Sequence, residues 1–357
     1  MDIVDLGVGD PDLPTPPKII QAMIRAVQDP ENHHYPSYSG MEDFKVAIAE
    51  WYGERFSVRL DPETEVISLI GAKEGIAHIP LAFLNPDDLA LIPTPAYPVY
   101  SVGTLFAGGK PYFLPLFKEN GFLPDLASIP DKVANKAKMI WLNYPNNPTT
   151  AIADRDFFES VVDFAHNYHV MVCHDLTYSE IAFDEYKPMS LLEIEGARDM
   201  CIEFHSLSKS FNMTGWRIGL AVGNREAISG LSSVKSNVDS GLFQAIQVAG
   251  IEALRANRES ISEIRKIYAR RRDTVVKALR GSSFEVDPPK ATFYLWVPVP
   301  RPFRSVDLAT RLLTEAGVVV TPGNGFGPPG EGYIRLALTQ DEGRLSEAIE
   351  RIRSIKL

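Results

Sequence analysis

CIEFHSLSKSFNMTGWRIGLAVGN, residues 201–224, contains two short apolar runs, CIEFHSL (201–207) and IGLAVGN (218–224), on either side of one lysine, Lys209. Both read as strands, and most of the strand candidates in this chain are apolar on both faces, as strands of a covered, mainly parallel sheet are. Small and apolar residues surround Lys209, with Ser206 and Ser208 close by and Arg217 eight positions on. A solvated surface helix carries more charge than this. The pattern predicts a buried amine just past the end of a strand.

The same pattern repeats outward. VISLIG (66–71), LALIPT (89–94), KPYFLPL (110–116), AKMIWLNYP (137–145) and VMVCHD (170–175) are further strand candidates, with helical patterns at 73–83, 153–168 and 225–235. Strand–helix alternation of this kind predicts an α/β fold, a mainly parallel sheet with helices on both sides. Beyond residue 240 the pattern changes to helices around 241–280, FYLWVPV (293–299), a helix at 305–316, GVVVTPG (317–323), GYIRLAL (332–338) and a last helix at 340–355. That order predicts a compact α+β unit, to which the Pro- and Gly-rich first 40 residues are expected to return.

With 357 residues, 45% hydrophobic and 23% charged, the chain has ordinary globular composition and enough length for a large domain and a smaller one. A net charge of −10 with no isolated Lys/Arg block argues against a nucleic-acid partner. The densest basic stretch, IRKIYARRRDTVVKALR (264–280), has apolar residues at helical spacing and is expected to form an amphipathic helix with a solvated basic face. Cys173 and Cys201 sit inside strand-like runs and are expected to be reduced core thiols. His33 and His34 have no carboxylate or cysteine at ligand spacing and read as loop residues, so no metal site is expected. The acidic N-terminus, MDIVDLGVGD, has no signal-peptide pattern, and no run approaches the ~20 apolar residues of a membrane span. A soluble, cytoplasmic protein is expected.

In open α/β sheets, ligands bind beyond the carboxyl ends of the strands. There Gly71-Ala72-Lys73 turns from strand to helix, Asn147 closes NYPNNP, Asp175 ends VMVCHD, and Ser206, Ser208 and Lys209 follow CIEFH. A helix N-terminus offers free N–H groups to an anion. An amine for a Schiff base, an acid opposite a pyridinium nitrogen and an anion cradle are what pyridoxal phosphate requires. Burial also makes the lysine a better nucleophile and base, because it disfavours the charged form.

These segments, with GDPDLPTP (9–16), YPSYSG (35–40), GAKEGIAHIPLAFLNP (71–86), AYPVY (96–100), NYPNNPT (143–149), CHDLTYSEIAF (173–183), DSGLFQAIQ (239–247), ATFYLWVPVP (291–300) and VVVTPGNGFG (318–327), resemble the fold-type I, class I/II aminotransferases of the aspartate aminotransferase superfamily. Within it the chain is most similar to the LL-diaminopimelate aminotransferase branch. The resemblance implies a seven-stranded, mainly parallel sheet in a large PLP-binding domain (41–240), an N-terminal segment (1–40) contributing to the small domain and the active-site entrance, and a connecting helix with the C-terminal small domain (241–357). It implies that Lys209 carries the cofactor and shuttles a proton, that Asp175 pairs with the pyridine nitrogen, and that Asn147 and Tyr178 hydrogen-bond the phenolic oxygen. Tyr97 is implied to stack on the ring, and Gly71, Ala72, Lys73, Ser206, Ser208 and Arg217 to cradle the phosphate. Tyr35 is implied to reach the phosphate of a neighbouring subunit in a homodimer with shared active sites. Arg335 is implied to clamp the substrate α-carboxylate with help from Gly9 and Asn147.

The implied reaction is ping-pong transfer of an amino group between an amino acid, LL-2,6-diaminopimelate in the first place, and 2-oxoglutarate. Aspartate, alanine or aromatic amino acids are the alternative substrates. Elimination, replacement or cyclisation is the alternative chemistry, since one cofactor site serves all of these. A regulator or dead paralogue fits poorly with the complete Lys-Asp-Asn-Tyr-Arg set. The chain departs from the family pattern twice. It begins close to VDLGVGDPD, where relatives have a further segment lying across the partner. It also has Thr150 where the family has glycine. A β-branched residue tolerates positive φ badly, so the backbone near Asn147 is expected to be re-set.

Overall fold

The computed structural model describes residues 2–256 and 258–355. Its strands are β1 Val4–Asp5, β2 Val66–Leu69, β3 Leu89–Thr94, β4 Lys110–Pro115, β5 Ala137–Leu142, β6 Met171–Asp175, β7 Cys201–Ser206, β8 Gly219–Gly223, β9 Tyr294–Pro298, β10 Val318–Val319, β11 Thr321–Pro322 and β12 Tyr333–Ala337. Seven of them form one sheet in the order β2-β8-β7-β6-β5-β3-β4. Only β8 runs antiparallel to its neighbours, so the other six present their carboxyl ends along one edge. The sheet matches the seven apolar runs read from the sequence and lies between two layers of helices.

The helices are α1 Pro17–Val27, α2 Glu42–Phe56, α3 Ala72–Phe83, α4 Val99–Phe106, α5 Asp131–Ala134, α6 Arg155–Tyr168, α7 Leu207–Ser210, α8 Arg225–Val238, α9 Gln244–Ala256, α10 Arg258–Arg280, α11 Ser305–Arg311 and α12 Glu342–Ser354. On one face of the sheet, Trp141, Phe204 and Ala221 pack under Ile76 and Ile79 of α3, Tyr100 of α4 and Leu231 of α8. On the other, Leu142, Val172 and Val222 pack against α1, α2, α6 and α9. Strands apolar on both faces are what this two-sided cover requires.

A second core gathers β9, β12, α12 and the inner side of α10. Val4 and Leu6 join it through the parallel pairing of β1 with β10, whereas Ile19 of α1 lies in the core of the large sheet. The N-terminal segment therefore runs from one core to the other. Helix α10 departs from expectation. Ile264, Tyr268, Val275 and Leu279 face the core, but the basic face is not wholly solvated. Arg271 and Arg272 are buried, paired with Asp12 (2.6 Å) and Asp184 (3.0 Å). Those carboxylates offset the cost of burying two guanidinium groups. Cys173 and Cys201 are buried free thiols. Among the described residues, no helix is long and apolar enough to cross a membrane.

Candidate active site

A cavity of about 770 Å³ opens at the carboxyl ends of β5, β6 and β7. Its wall brings together Gly9, Ala72, Lys73, Tyr97, Asn147, Asp175, Tyr178, Ser206, Ser208, Lys209, Arg217 and Arg335. Gly71 stands behind it. At φ +76° it turns β2 into α3, and a Cβ there would lie 2.6 Å from Arg217 Nη2. Tyr35 is not brought into this cavity; it is 87% exposed elsewhere on the chain. A separate cavity of about 340 Å³ near Trp51 contains Arg55 and Arg265, both already paired with Glu180.

Lys209 sits in the short helix after β7, and its Nζ donates to the Gly9 carbonyl at 2.9 Å. Burial pushes the amine down to about 8, aided by the positive charges of Arg217 and Arg335 and opposed by Asp10 and Asp175. Asp175 ends β6. Its carboxylate accepts from the Tyr100 hydroxyl at 2.7 Å and from the Thr177 N–H at 3.2 Å. Burial nevertheless raises the Asp175 carboxyl above its ordinary range. Its hydrogen-bond donors, even with a smaller lowering from His174, do not offset the desolvation, so its ionised form calls for a cation at the carboxylate itself.

Arg335 of β12 lies between the rings of Tyr294 (4.2 Å) and Phe326 (4.7 Å). Its Nη1 donates to Asn147 Oδ1 and its Nη2 to the Gly7 carbonyl, each at 2.7 Å. The buried Nε has no acceptor among the described residues. Such an atom is costly unless a ligand meets it, and a planar fork with a vacant N–H suits a carboxylate. Asn147 is fixed from behind, its N–H donating to Asn143 Oδ1 at 2.8 Å. Tyr178 donates to Tyr294 Oη at 3.2 Å, and that hydroxyl explains Gly9, where a Cβ would come within 1.8 Å of it.

The phosphate-type corner combines the N-terminus of α3 with Ser206, Ser208 and Arg217. Arg217 adopts φ +54° and donates to the Thr214 carbonyl at 2.8 Å, holding its guanidinium over Gly71. Strained backbone of this kind persists where surrounding structure over-determines it. Thr150 corrects the sequence expectation. The backbone is not re-set; Thr150 takes φ +62° and donates to the Asn146 carbonyl at 2.9 Å. The asparagine-rich turn around it supplies enough hydrogen bonds, including Thr149 Oγ1 to Asn146 Oδ1 at 2.8 Å, to hold a threonine left-handed.

Sequence reading passed over Tyr100, Tyr294 and Asn143. Tyr100 lay within AYPVY, one helical turn after Tyr97. That spacing marks a shared face but gives no sign of a carboxylate 75 residues away.

A family model for aminotransferase class I and II matches residues 1–352. The chain belongs to that family. This aminotransferase is 58% identical over 355 residues to the LL-diaminopimelate aminotransferase of Syntrophobacter fumaroxidans, covering 99% of this chain and 92% of that one. It is 56% identical over 357 residues to the LL-diaminopimelate aminotransferase of Aquifex aeolicus, covering 100% and 92%. Among solved structures, substrate-bound BacF from Bacillus subtilis superposes with a TM-score of 0.97 at 39% identity, covering 99% of this chain and 91% of that one.

The enzyme's cofactor is pyridoxal 5′-phosphate. The residues present fit that group. An amine with depressed basicity, a buried carboxyl needing a cation and an anion corner at a helix N-terminus converge on one cavity.

Proposed function

We propose that this aminotransferase exchanges amino groups between LL-2,6-diaminopimelate and 2-oxoglutarate in a ping-pong cycle, working in the cytoplasm as a homodimer. The observation that carries the substrate assignment is full-length identity above one half to two aminotransferases named for that diamino acid. The cavity's charges support it, since Asp10 and Lys73 line the wall that also holds Lys209 and Arg335. A substrate with an ammonium and a carboxylate at each end needs both signs there.

When bound, PLP supplies the electron sink that acidifies the substrate Cα–H. Ser206, Ser208, Arg217 and the N–H groups of Ala72 and Lys73, following Gly71, would hold its phosphate. Asp175 would meet the ring nitrogen, Asn147 and Tyr178 the phenolic oxygen, and Tyr97 the ring face. Lys209 would anchor the cofactor at rest and then carry the Cα proton, a task suited to an amine near 8. Arg335 would receive the α-carboxylate on its fork, with Asn147 and the Gly9 backbone beside it. Tyr35, exposed on its own chain, would reach across to the partner's phosphate.

The test is a parallel assay of glutamate formation from 2-oxoglutarate with LL-diaminopimelate, aspartate, alanine, arginine and an aromatic amino acid. Fast transfer from diaminopimelate with discrimination against aspartate is expected. A site with polar groups set for a distal ammonium and carboxylate leaves them unpaired with a shorter substrate, at a cost of several kcal/mol. Fast transfer from aspartate or the aromatic acid, with none from diaminopimelate, overturns the assignment.

A further inference from the structure

On the face of the sheet away from the Tyr100–Asp175 contact lies a polar cluster that the reaction has not yet used. Glu203 of β7 and His174 of β6 are cross-strand neighbours, both fully buried. Glu203 Oε1 accepts from His174 Nδ1 and from the Leu191 N–H, each at 2.7 Å. Oε2 accepts from the Tyr52 hydroxyl at 3.0 Å and from the Ser190 hydroxyl. Those contacts occupy the full acceptor capacity of a carboxylate. Tyr52 in turn meets His205 Nε2.

The His174 ring is held at both of its nitrogens. Its second nitrogen, Nε2, faces the Tyr144 carbonyl at 3.2 Å. Both ring nitrogens thus face oxygen atoms, a carboxylate on one side and a carbonyl on the other, an arrangement that suits a ring donating from both. Against its burial, the His174 contacts hold the Glu203 carboxyl below the usual range. His174 lies one residue before Asp175, and the strand partner of Asp175 is Phe204, next to Glu203. The two strand ends so joined carry Asp175 on one side and Ser206 to Lys209 on the other.

We propose that the buried His174–Glu203 pair is a positioning element for the reaction, pinning the ends of β6 and β7 together and setting a positive charge behind Asp175 that favours its ionised form. The direction of the His174 influence on Asp175 is downward, against the upward push of burial. Other charged groups facing the cluster are themselves tied. Arg55 of α2 is paired with Glu180 at 2.8 Å, and Glu193 accepts from the Ser190 N–H at 2.8 Å. His205 is held neutral, pushed down to about 3 by burial. The inference rests on Asp175 facing the cofactor's ring nitrogen.

The experiment uses the holoenzyme and nitrogen NMR. In the wild type at pH 8, the His174 ring is expected to show two protonated nitrogens, its signals assigned by their loss in His174→Asn. Cofactor labelled at the ring nitrogen is then bound to wild type, Glu203→Gln and His174→Asn. Without the imidazolium, Asp175 becomes more basic and draws the proton from the ring, by about tenfold in proton sharing for each unit of displacement. The ring-nitrogen resonance should move toward that of free pyridine in both variants, with kcat falling and KM for amino acids little changed. A bare nitrogen on wild-type His174 overturns the proposal whether or not the variants fold. So does a fall in kcat with the ring-nitrogen resonance unmoved, which marks a purely structural pair. An unprotonated ring nitrogen in the wild type instead sinks the placing of Asp175.

Discussion

Lys209 has a basicity set by its surroundings, and this makes it measurable without turnover. Its folded value is about 8 against an ordinary value of 10.5. Between those two, the unfolded chain binds more protons than the folded one, so apoenzyme stability rises with pH across that window. Below 8 the full cost of burying the charged amine remains. Lys209→Met should therefore stabilise the apoenzyme at pH 7 by on the order of 2 kcal/mol and flatten the difference in that window. Urea unfolding of both apo proteins at pH 7, 8, 9 and 10 checks this, and parallel curves would refute it. The same variant should lose the borohydride-reducible link to the cofactor. Asp175 behaves oppositely, with burial raising it, so this pair of groups is pushed toward neutrality from both sides. At this scale the sequence was informative about which residues of this chain gather at one cavity, Tyr35 excepted, because strand ends collect ligands. It was silent on Tyr100 and on the His174–Glu203 pair, whose meaning depends on partners across the sheet.

Two turns decide whether the site's elements point the right way. Gly71 leaves no room for a side chain under Arg217, so Gly71→Ala should displace the guanidinium and force an L-residue to φ +76°. Cofactor affinity measured by equilibrium dialysis should fall at least tenfold, and unchanged affinity would remove Arg217 from the cradle. Thr150 is the reverse case, a β-branched residue already left-handed. Thr150→Gly should raise the unfolding free energy by about 1 kcal/mol, since the left-handed penalty for an L-residue is about that size. No gain would mean that the asparagine turn has removed the strain. The sheet strands were legible because most are covered on both faces and so are largely apolar, although the edge strand β4 fully buries only Leu114. The basic face of α10 was misread for a definable reason. The carboxylate that neutralises Arg271 lies 259 residues away, and Arg272 adds to its neighbour Asp273 a partner 88 residues away, neither distant pairing being visible in a local pattern.

Across the whole molecule, the first dozen residues join the two cores. Val4 and Leu6 belong with β10, Gly7 and Gly9 lend carbonyls to Arg335 and Lys209, and Asp12 neutralises Arg271. Asp12→Ala strands a buried guanidinium and should cost about 3 kcal/mol, read as a lowered midpoint in thermal unfolding with cofactor bound. An unchanged midpoint would show that the Leu338 carbonyl, which Arg271 Nη1 also reaches at 3.0 Å, suffices alone. The pairing of Val4 with Val318 also has a temporal side. On the ribosome, the first strand emerges more than three hundred residues before its partner. At 5–20 residues per second that is a wait of roughly 15 to 60 s. Through that interval the large sheet can form, but the amino-terminal ribbon has nothing to pair with. The carbonyls that hold the lysine and the arginine reach their places only near the end of synthesis, so a nascent chain stalled short of residue 318 carries a sheet without a working site.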